Sequence, residues 1–586
     1  MTEEKTADET VTGAWRAVVR VLEEHGVRDA FGLPADDLDL LEALHGSRIR
    51  LVLGRDQRNA VFMATGYALQ SGRPGIAFTG KGPAVTNAVT GLLEAAYSAA
   101  PVVLISAGTA VDRRGAAAFQ ELDQLAVVRP LTKWAARVDD PARLAPMLER
   151  ALLTAADGVP GPVYLEVPDQ LLTAKIPLPA PGAVPAEGPV RPAAVRLPDD
   201  SAALRTLGAA RRPVLLVGGG TRHIRRGLLE RYADHIGAAV FATATGRGAF
   251  DETHPRFCGL SGLYLPEAAR ELWDRTDCVI AFGSRLEETA TYTWPGRIGH
   301  DVPVVQVNVD AGEFHTDYAG PRILADAGAL LAGLAGHAPP RDADPGWSES
   351  VTAVHDQVLG DHEDTLRELA ARPALHIPEV LAALRDVLPE DLVLVQENGL
   401  QDMWSYSYPV HLCPAAGGSV VPSEQTSLGF GAAAAAGVQT AAPGRPVVAL
   451  VGDGAFNLFA SDLPTLAEHG LGVLYVVLRN NGYGWLQHQL DDRAKPLPGF
   501  RFADPDGAAL PLREAPGVRH LTLDDKTTLR ADLERAWKLC REGEPVVLDV
   551  PVRLEDSLFG KAPAGGDFPL LSPTGAPAPD TTEGTP

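Results

Sequence analysis

Short runs of Val, Ile and Leu alternate with Ala-rich stretches along most of the 586 residues. Two of these apolar runs, 446–451 and 473–478, have the length of buried strands, and the stretch 456–469 between them has the pattern of a helix. Strands that alternate with helices in this way are typical of parallel sheets covered by helices on both faces. The pattern therefore predicts an α/β fold.

Two proline-rich stretches interrupt the alternation, and we interpret them as linkers between domains. They divide the chain into three parts, each of which repeats the strand and helix pattern. A C-terminal tail rich in Pro, Gly, Thr and Ala is expected to be disordered. The predicted organisation is three doubly wound parallel-sheet domains at 1–175, 198–337 and 351–560, linkers at 176–197 and 338–350, and a tail at 561–586.

Composition narrows the range of partners. The formal net charge of −23 argues against nucleic acid or an anionic membrane as a ligand. The four cysteines are scattered without metal-ligand spacing, and we interpret each as a small buried residue, which suits a reducing compartment. Neither a signal peptide nor an apolar run of membrane-spanning length is visible, so we expect a cytoplasmic protein.

A polar cluster follows each of the two apolar runs. The first run leads into Gly452-Asp453-Gly454-Ala455, and Asn480 follows the second run, 27 residues after Asp453. Adjacent parallel strands would bring this carboxylate and amide oxygen together at one sheet edge, and such a pair suits Mg²⁺. The amides that begin the intervening helix could face a phosphate. Alternatively, both clusters are simple turns, since Gly, Asp and Asn are common turn residues.

Together, the two clusters resemble the thiamine diphosphate motif of the pyruvate decarboxylase and acetolactate synthase superfamily. The resemblance implies that Asp453, Asn480 and the Gly482 carbonyl bind Mg²⁺, with Asn481 as the alternative amide ligand. The residues that it places at the diphosphate are Gly452, Gly454 and Ala455. Matching stretches run through nearly all of residues 12–555, which implies a pyrimidine-binding domain, a central domain and a diphosphate-binding domain.

Further stretches resemble active-site segments of acetolactate synthases. Residues 397–404 occupy the place of the family's first diphosphate loop, so that Asn398 would contact the cofactor and Gln401 would replace a phosphate-contacting His. In the first domain, Phe119 and Gln120 match a Phe and a Gln that line the active site in the family. A helix start with a packed aromatic residue would look the same.

The segment 423–431 is similar to the part of the family that shapes the cofactor. A bulky aliphatic residue there holds the two cofactor rings in a bent conformation, and Leu428 would be that residue. The Thr426 carbonyl would accept a hydrogen bond from the pyrimidine 4′-amino group. Outside this context, Leu428 would be an ordinary core residue.

The first domain departs from the family at one position. The family's glutamate at pyrimidine N1′ lies nine residues before a Gly-Tyr-Ala, and here Gly66-Tyr67-Ala68 follows Gln57 at that distance. An amide can hydrogen bond to N1′ but cannot protonate it. Either Asp56 is the acid instead, or the enzyme works without the acid, as glyoxylate carboligase does, or the site binds cofactor with little turnover. We favour the second explanation.

The middle domain contains the apolar run 213–217, which leads into Gly218-Gly219-Gly220, and Arg285, which follows another strand. A triple glycine is not the G-x-G-x-x-G fingerprint of dinucleotide-binding domains. Relatives use this domain for FAD, for ADP or for no ligand, and Arg285 resembles the flavin-contacting Arg of acetolactate synthases. FAD or ADP is therefore a candidate ligand.

The resemblance implies thiamine diphosphate- and Mg²⁺-dependent decarboxylation of a 2-oxo acid, with carboligation of the acyl carbanion equivalent to a second carbonyl. The alternatives among enzymes are simple decarboxylation of a 2-oxo acid and cleavage of a 2-hydroxyacyl- or oxalyl-CoA substrate. An alternative of another class is an inactive, cofactor-binding homologue that acts as an assembly or regulatory subunit, for which Gln57 is the only support.

The superfamily builds each active site between the first domain of one subunit and the third domain of another, which implies a homodimer or homotetramer. The substrates would be a small 2-oxo acid and a carbonyl acceptor. Residues just after the clusters lie where relatives keep mobile active-site segments, although a surface helix would look alike. The candidates there for contact with the acceptor are Tyr483, Trp485, Gln487 and His488.

Overall fold

The computed structural model describes residues 11–34, 38–177, 193–292, 294–334, 344–373, 375–414, 417–492, 499–502, 511–523 and 525–552. Within these ranges the chain forms three six-stranded parallel sheets flanked by helices, which confirms the predicted fold class. The expected tail at 561–586 lies outside the described residues. None of the helices in these ranges combines the length and the apolar composition that crossing a membrane requires.

The first domain contains a sheet whose strands are almost entirely apolar at its centre. In order across the sheet, its strands are Arg50–Leu53, Asp29–Leu33, Gly75–Thr79, Val102–Gly108, Val163–Pro168 and Trp134–Arg137. Its α-helices are Ala14–Glu24, Leu38–His45, Gln57–Ser71, Pro83–Tyr97, Gln124–Val128 and Leu144–Ala156. Val11–Thr12 and Ile176–Pro177 form a separate antiparallel pair, so the first residues of the expected linker at 176–197 are tied back to the domain.

In the central domain, the chain forms a middle strand first and then adds strands towards one edge of the sheet. The remaining strands are added on the other side of the first strand. Across the sheet, its strands are Phe257–Leu260, Ala239–Ala242, Pro213–Val217, Cys278–Phe282, Val304–Asn308 and Arg322–Leu324. Its α-helices are Ala202–Ala209, Leu228–Ile236, Arg270–Arg275, Glu288–Thr291 and Ala327–Leu334. A crevice forms between Pro213–Val217 and Cys278–Phe282, where the strand order reverses.

A long helix, Pro345–Ala370, joins the central and third domains. It begins within the stretch 338–350 that we expected to be a linker. Proline is well tolerated in the first turn of a helix, and the Asp344 side chain caps the turn by accepting from the Gly346 amide. Trp347 and Val351 pack into the central core, so this helix extends that core instead of starting the third domain.

The third domain repeats the topology of the first. Across its sheet, the strands are Ser419–Val420, Val393–Gln396, Val447–Gly452, Val473–Arg479, Val546–Pro551 and Arg519–Thr522. Its α-helices are Ile377–Val387, Leu400–Ser405, Phe430–Ala441, Asp453–Phe459, Leu463–His469, Gly484–Asp492 and Leu529–Arg541. The expected single helix at 456–469 is two helices, and the first starts at Asp453.

The first and third domains of the chain pack against each other through two helices. Gln57–Ser71 lies along Phe430–Ala441, and both helices are mostly buried in one shared apolar core. Small residues dominate the second helix, which allows the two backbones to approach closely. The four cysteines are all buried and unpaired, as expected from the sequence.

Candidate active site

The two polar clusters predicted from the sequence meet at one edge of the third sheet. Strands Val447–Gly452 and Val473–Arg479 pair in parallel with Gly452 opposite Leu478, so their carboxyl ends coincide. Asp453 begins the next helix, and its side chain is buried. Its Oδ1 accepts from the Gly454 amide at 3.1 Å and its Oδ2 accepts from the Asn481 amide at 2.8 Å. The carboxylate therefore joins the two strand ends.

Two amide side chains follow the second strand, in the turn that the Asp453 carboxylate contacts. Within the described part of the chain, Oδ1 of Asn480 and Oδ1 of Asn481 are buried and accept no hydrogen bond. A buried acceptor without a partner costs roughly 1–3 kcal/mol. A cation that took up one of these oxygens would remove that cost. We refer to Asp453, Asn480, Asn481 and Gly482 as the clamp.

The glycines of the clamp region are required by close packing. A Cβ on Gly482 would overlap the carbonyl oxygen of Phe500, and a Cβ on Gly454 would lie 2.8 Å from the Tyr483 ring. Gly482 also pairs with Arg501 across an antiparallel bridge. These contacts hold the Gly482 backbone next to the clamp oxygens.

A cavity of about 290 Å³ opens beside Asp453. Among the described residues, Asn481 and Tyr483 line it, whereas Asn480 does not. Burial raises the pKa of Asp453 to about 6, against the lowering effect of backbone amides such as that of Asn481. A divalent cation in this place would stabilise the charged form. The donor set of carboxylate, amide and carbonyl oxygens fits Mg²⁺.

The predicted first diphosphate loop lies next to the clamp. The Gln401 Nε2 donates to the carbonyl oxygens of Glu397, at 3.1 Å, and Asn398, at 2.9 Å. Its Oε1 lies 3.5 Å from where a Cβ on Gly452 would be. Gln401 is thus buried between the loop and the end of the strand, where its two hydrogen bonds tie the side chain to the loop backbone.

Glu397 is a buried residue for which the sequence analysis predicted no role. Its carboxylate accepts from the amides of Gly429 and Ala432, at 3.2 and 3.3 Å. Burial raises its pKa to about 8, although these amides act in the opposite direction. Glu397 therefore connects the diphosphate loop to the start of the helix that follows Leu428.

The turn that carries Thr426 and Leu428 is anchored to the first domain. Glu94, which is completely buried, accepts from the amides of Ser423 at 2.5 Å and Ser427 at 3.3 Å. Thr426 lies at the exposed tip with φ of 44°, and Leu428 follows half-buried. Glu94 could not be identified from local sequence patterns, because its partners are more than 300 residues away along the chain.

The first-domain candidates form a second group. Gln57 is the first residue of its helix, and the Asp56 side chain caps that helix by accepting from the amides of Arg58 and Asn59. Asp56 is therefore committed to the helix start. The Gln57 Oε1 accepts from Asn87 Nδ2 at 3.1 Å.

Phe119 and Gln120 belong to the same group and are open to solvent. Phe119 is 73% exposed, and Gln120 has φ of 56°. We refer to Gln57, Asn87, Phe119 and Gln120 as the first-domain face. Every residue described as lining the Asp453 cavity comes from the third domain. The first-domain face itself does not line this cavity, although Arg58 and Asn59, which follow Gln57 in sequence, donate to the carbonyl oxygen of the lining residue Leu458.

The candidates for contact with the acceptor are divided between the cavity and a helix. Tyr483 lines the cavity. Gln487 is buried in the helix Gly484–Asp492 and accepts from the Phe500 amide at 3.2 Å. Trp485 lies on the same helix, and the side chain of His488 lies outside the described residues.

A second cavity, of about 500 Å³, lies where the strand order of the central sheet reverses. Arg285 lines it and pairs with Glu313 at 2.7 Å and Glu287 at 3.2 Å. Arg222 also lines it, and burial lowers the pKa of this guanidinium to about 10. Within the described ranges, its Nη1 is buried without a hydrogen-bond partner. Arg222 therefore presents to the cavity a guanidinium nitrogen that makes no hydrogen bond to the described residues.

Comparison with known proteins places these features in a family. Three domain models of thiamine pyrophosphate enzymes match the chain: the N-terminal TPP binding domain at 13–127, the central domain at 201–334 and the C-terminal TPP binding domain at 399–550.

Relatives match over nearly the whole chain. The acetolactate synthase large subunit of Parasynechococcus marenigrum is 30% identical over 95% of this chain and 90% of its own length. The corresponding subunit of Lactococcus lactis is 26% identical over 95% of both chains. A probable 2-ketoarginine decarboxylase of Pseudomonas aeruginosa is 30% identical over 80% of this chain and 82% of its own. The chain therefore belongs to the thiamine pyrophosphate-dependent enzymes, as an acetolactate synthase-like member of that superfamily.

Proposed function

We propose that this enzyme binds thiamine diphosphate through Mg²⁺, decarboxylates a 2-oxo acid and joins the resulting acyl group to a second carbonyl compound. The observation that carries the proposal is the clamp, in which a buried carboxylate at the end of one strand contacts the turn after the neighbouring strand, and that turn contains two unpartnered amide oxygens. No hydrogen bond within the described part of the chain accounts for those oxygens, and a bound magnesium ion would account for one of them.

The clamp residues would divide the work as follows. Asp453, Asn480 and the Gly482 carbonyl would hold the ion, and Asn481 is the alternative amide ligand. The amide of Ala455, near the start of its helix, suits the diphosphate, and Gly454, whose amide donates to Asp453, would lie beside it. When bound, the cofactor supplies a nucleophilic carbon that adds to the 2-oxo group and then serves as an electron sink.

The remaining candidates would orient the cofactor. Gly452, Asn398 and Gln401 lie around the end of the strand and would border the diphosphate. Leu428 would hold the rings in the bent conformation, and the Thr426 carbonyl would accept from the amino group. Glu94 and Glu397 support this assignment, since they fix the turn from two sides.

The first-domain face would complete the site from another subunit, in a homodimer or homotetramer. Phe119, with 73% of its surface exposed, is the apolar side chain that such a partner would cover. Phe119 and Gln120 would then line the substrate pocket above the clamp of the partner.

Our proposal that the acyl group is transferred to a second carbonyl compound is supported by the names of the relatives. Two of them are acetolactate synthase subunits, which favours carboligation. The relative named as a 2-ketoarginine decarboxylase is as similar in identity, and it makes simple decarboxylation the second candidate.

For the central cavity, we propose an anionic nucleotide such as FAD or ADP. The reversal of strand order and the unpartnered Arg222 support it. Arg285 supports it less, because two carboxylates already neutralise that guanidinium. Co-purified nucleotide, released by heat and identified by its absorbance, would test this point.

An assay with defined donors separates the two activities. The protein, with thiamine diphosphate and Mg²⁺, is incubated with pyruvate or 2-ketoarginine, and both CO₂ and the organic product are measured. Carboligation of pyruvate predicts a product in which the acetyl group of one pyruvate is joined to the carbonyl carbon of a second pyruvate. An aldehyde as the only product would favour the decarboxylase. Absence of CO₂ from a panel of 2-oxo acids, while cofactor is bound, would contradict both.

A further inference from the structure

The side chains of Gln57 and Asn87 form an amide pair on the first-domain face. Gln57 begins the helix Gln57–Ser71, and Asn87 lies on the neighbouring helix Pro83–Tyr97. Asn87 Nδ2 donates to Gln57 Oε1 at 3.1 Å. Asn87 is exposed and Gln57 is half-buried, so the pair lies at the surface of the domain and not in its core.

This contact decides which end of the Gln57 amide is available. A glutamine side chain has one acceptor oxygen and one donor nitrogen. The oxygen is occupied by Asn87, while the adjacent Asp56 is occupied by the helix cap. Within the described residues, Gln57 Nε2 makes no hydrogen bond. The face therefore presents an N–H donor where the family presents a carboxylic acid.

We propose that Asn87 is a positioning residue that fixes Gln57 as a hydrogen-bond donor to N1′ of the cofactor pyrimidine. The inference rests on the proposed function, and it states the direction of the hydrogen bond: Gln57 donates and N1′ accepts. N1′ is an acceptor in the 4-amino form of the ring and carries a hydrogen in the 4-imino form. Gln57 in this orientation stabilises the amino form and opposes the imino form.

The neighbouring residue on the helix shows that this contact is specific to Asn87. The Thr86 hydroxyl donates to the Pro83 carbonyl in its own helical turn, at 2.9 Å. Asn87 instead reaches across to another helix. Thr86 is therefore a matched control, because it is adjacent and also exposed but makes no hydrogen bond to Gln57 among the described residues.

The test compares two ligands by calorimetry, with Mg²⁺ present. One is thiamine diphosphate, and the other is an analogue in which N1′ is replaced by C–H. The wild type is expected to prefer thiamine diphosphate by about fivefold to tenfold, the value of one hydrogen bond. Thr86→Val should keep this preference.

Asn87→Asp is expected to reverse the direction of the hydrogen bond between residue 87 and Gln57. A carboxylate only accepts, so it would take a hydrogen from Gln57 Nε2 and turn Oε1 towards the ring. The preference for thiamine diphosphate should then fall below about twofold, since an acceptor would face an acceptor. Asn87→Leu, which releases the amide, should give an intermediate ratio. Unchanged melting temperatures would show that the variants are folded.

Equal affinity of the wild type for both ligands would overturn the inference alone, because the cofactor would still be bound. Full preference in Asn87→Asp would overturn the role of Asn87. Failure of the wild type to bind either ligand would instead contradict the proposed function, and the inference with it.

Discussion

The clamp and the first-domain face differ in how complete they are within one chain. In the clamp, the Asp453 carboxylate is buried, and backbone amides from two strand ends hold it. On the first-domain face, the one hydrogen bond described for the Gln57 side chain is to the exposed Asn87, and Phe119 projects into solvent. Yet the two domains have the same strand order. One topology therefore supplies a buried carboxylate held by backbone amides in one domain and an open surface in the other.

Under the proposed function, the buried polar groups of the chain would hold the diphosphate end of the cofactor. Glu397 and Glu94 fix the loops around the clamp, and both are fully buried. No comparable buried carboxylate contacts Gln57 among the described residues. The pyrimidine end would instead be held when a second subunit covers the face.

The largest expected effect comes from making the face resemble the family. Gln57→Glu should speed the exchange of the cofactor C2 proton by at least about 100-fold, because a carboxylic acid can share a proton with N1′ and an amide cannot. Exchange is followed by NMR of the acid-quenched cofactor. Gln57→Leu is the control and should give no gain. Unchanged exchange in Gln57→Glu would mean that residue 57 is not at N1′.

The next effect tests which amide of the clamp binds the ion. Asn480→Ala should weaken Mg²⁺-dependent cofactor binding by at least about tenfold, as loss of a metal ligand does. Asn481→Gly keeps the left-handed backbone (φ of 59°) and removes only the side chain, so it should cost less than about threefold. Calorimetry gives both affinities. The reverse order would make Asn481 the ligand.

The smallest effect concerns stability near the diphosphate loop. Asp402 is buried with Oδ1 unpartnered among the described residues, and burial raises its pKa to about 8. Its native form therefore keeps a proton that the unfolded chain loses near pH 4. Stability from this group is present below pH 4 and is lost as pH rises towards 8.

Asp402→Asn removes this titration. Its free energy of unfolding, relative to the wild type, should rise by roughly 1–3 kcal/mol between pH 5 and pH 8. Urea unfolding at several pH values measures it. Asp391→Asn, at an exposed position of the same domain, should show no such change. Parallel pH profiles for wild type and Asp402→Asn would contradict the account.

The strands and their carboxyl ends were predictable because an apolar run and the polar residues that follow it are neighbours along the chain. The runs before Asp453 and Asn480 are apolar throughout, and both are buried strands in the structure. Spacing then placed two polar groups at neighbouring strand ends, and the structure brings Asp453 and the turn after the second strand together.

The features that the sequence did not indicate depend on distant contacts or on ambiguous residues. Glu94 reaches a turn that is more than 300 residues away. The helix at Pro345 starts with a residue that also marks linkers, so the pattern alone could not separate the two. Which end of the Gln57 amide is free depends on Asn87, a residue on another helix.

The most direct test of the central claim is a calorimetric titration of thiamine diphosphate into the protein. With Mg²⁺ present, we expect saturable binding of one cofactor per chain. Chelation of the metal, or Asp453→Asn, should weaken it by at least about 100-fold, since the buried carboxylate is the charged ligand of the clamp. Equal binding without a divalent cation, or undiminished binding in Asp453→Asn, would contradict the account.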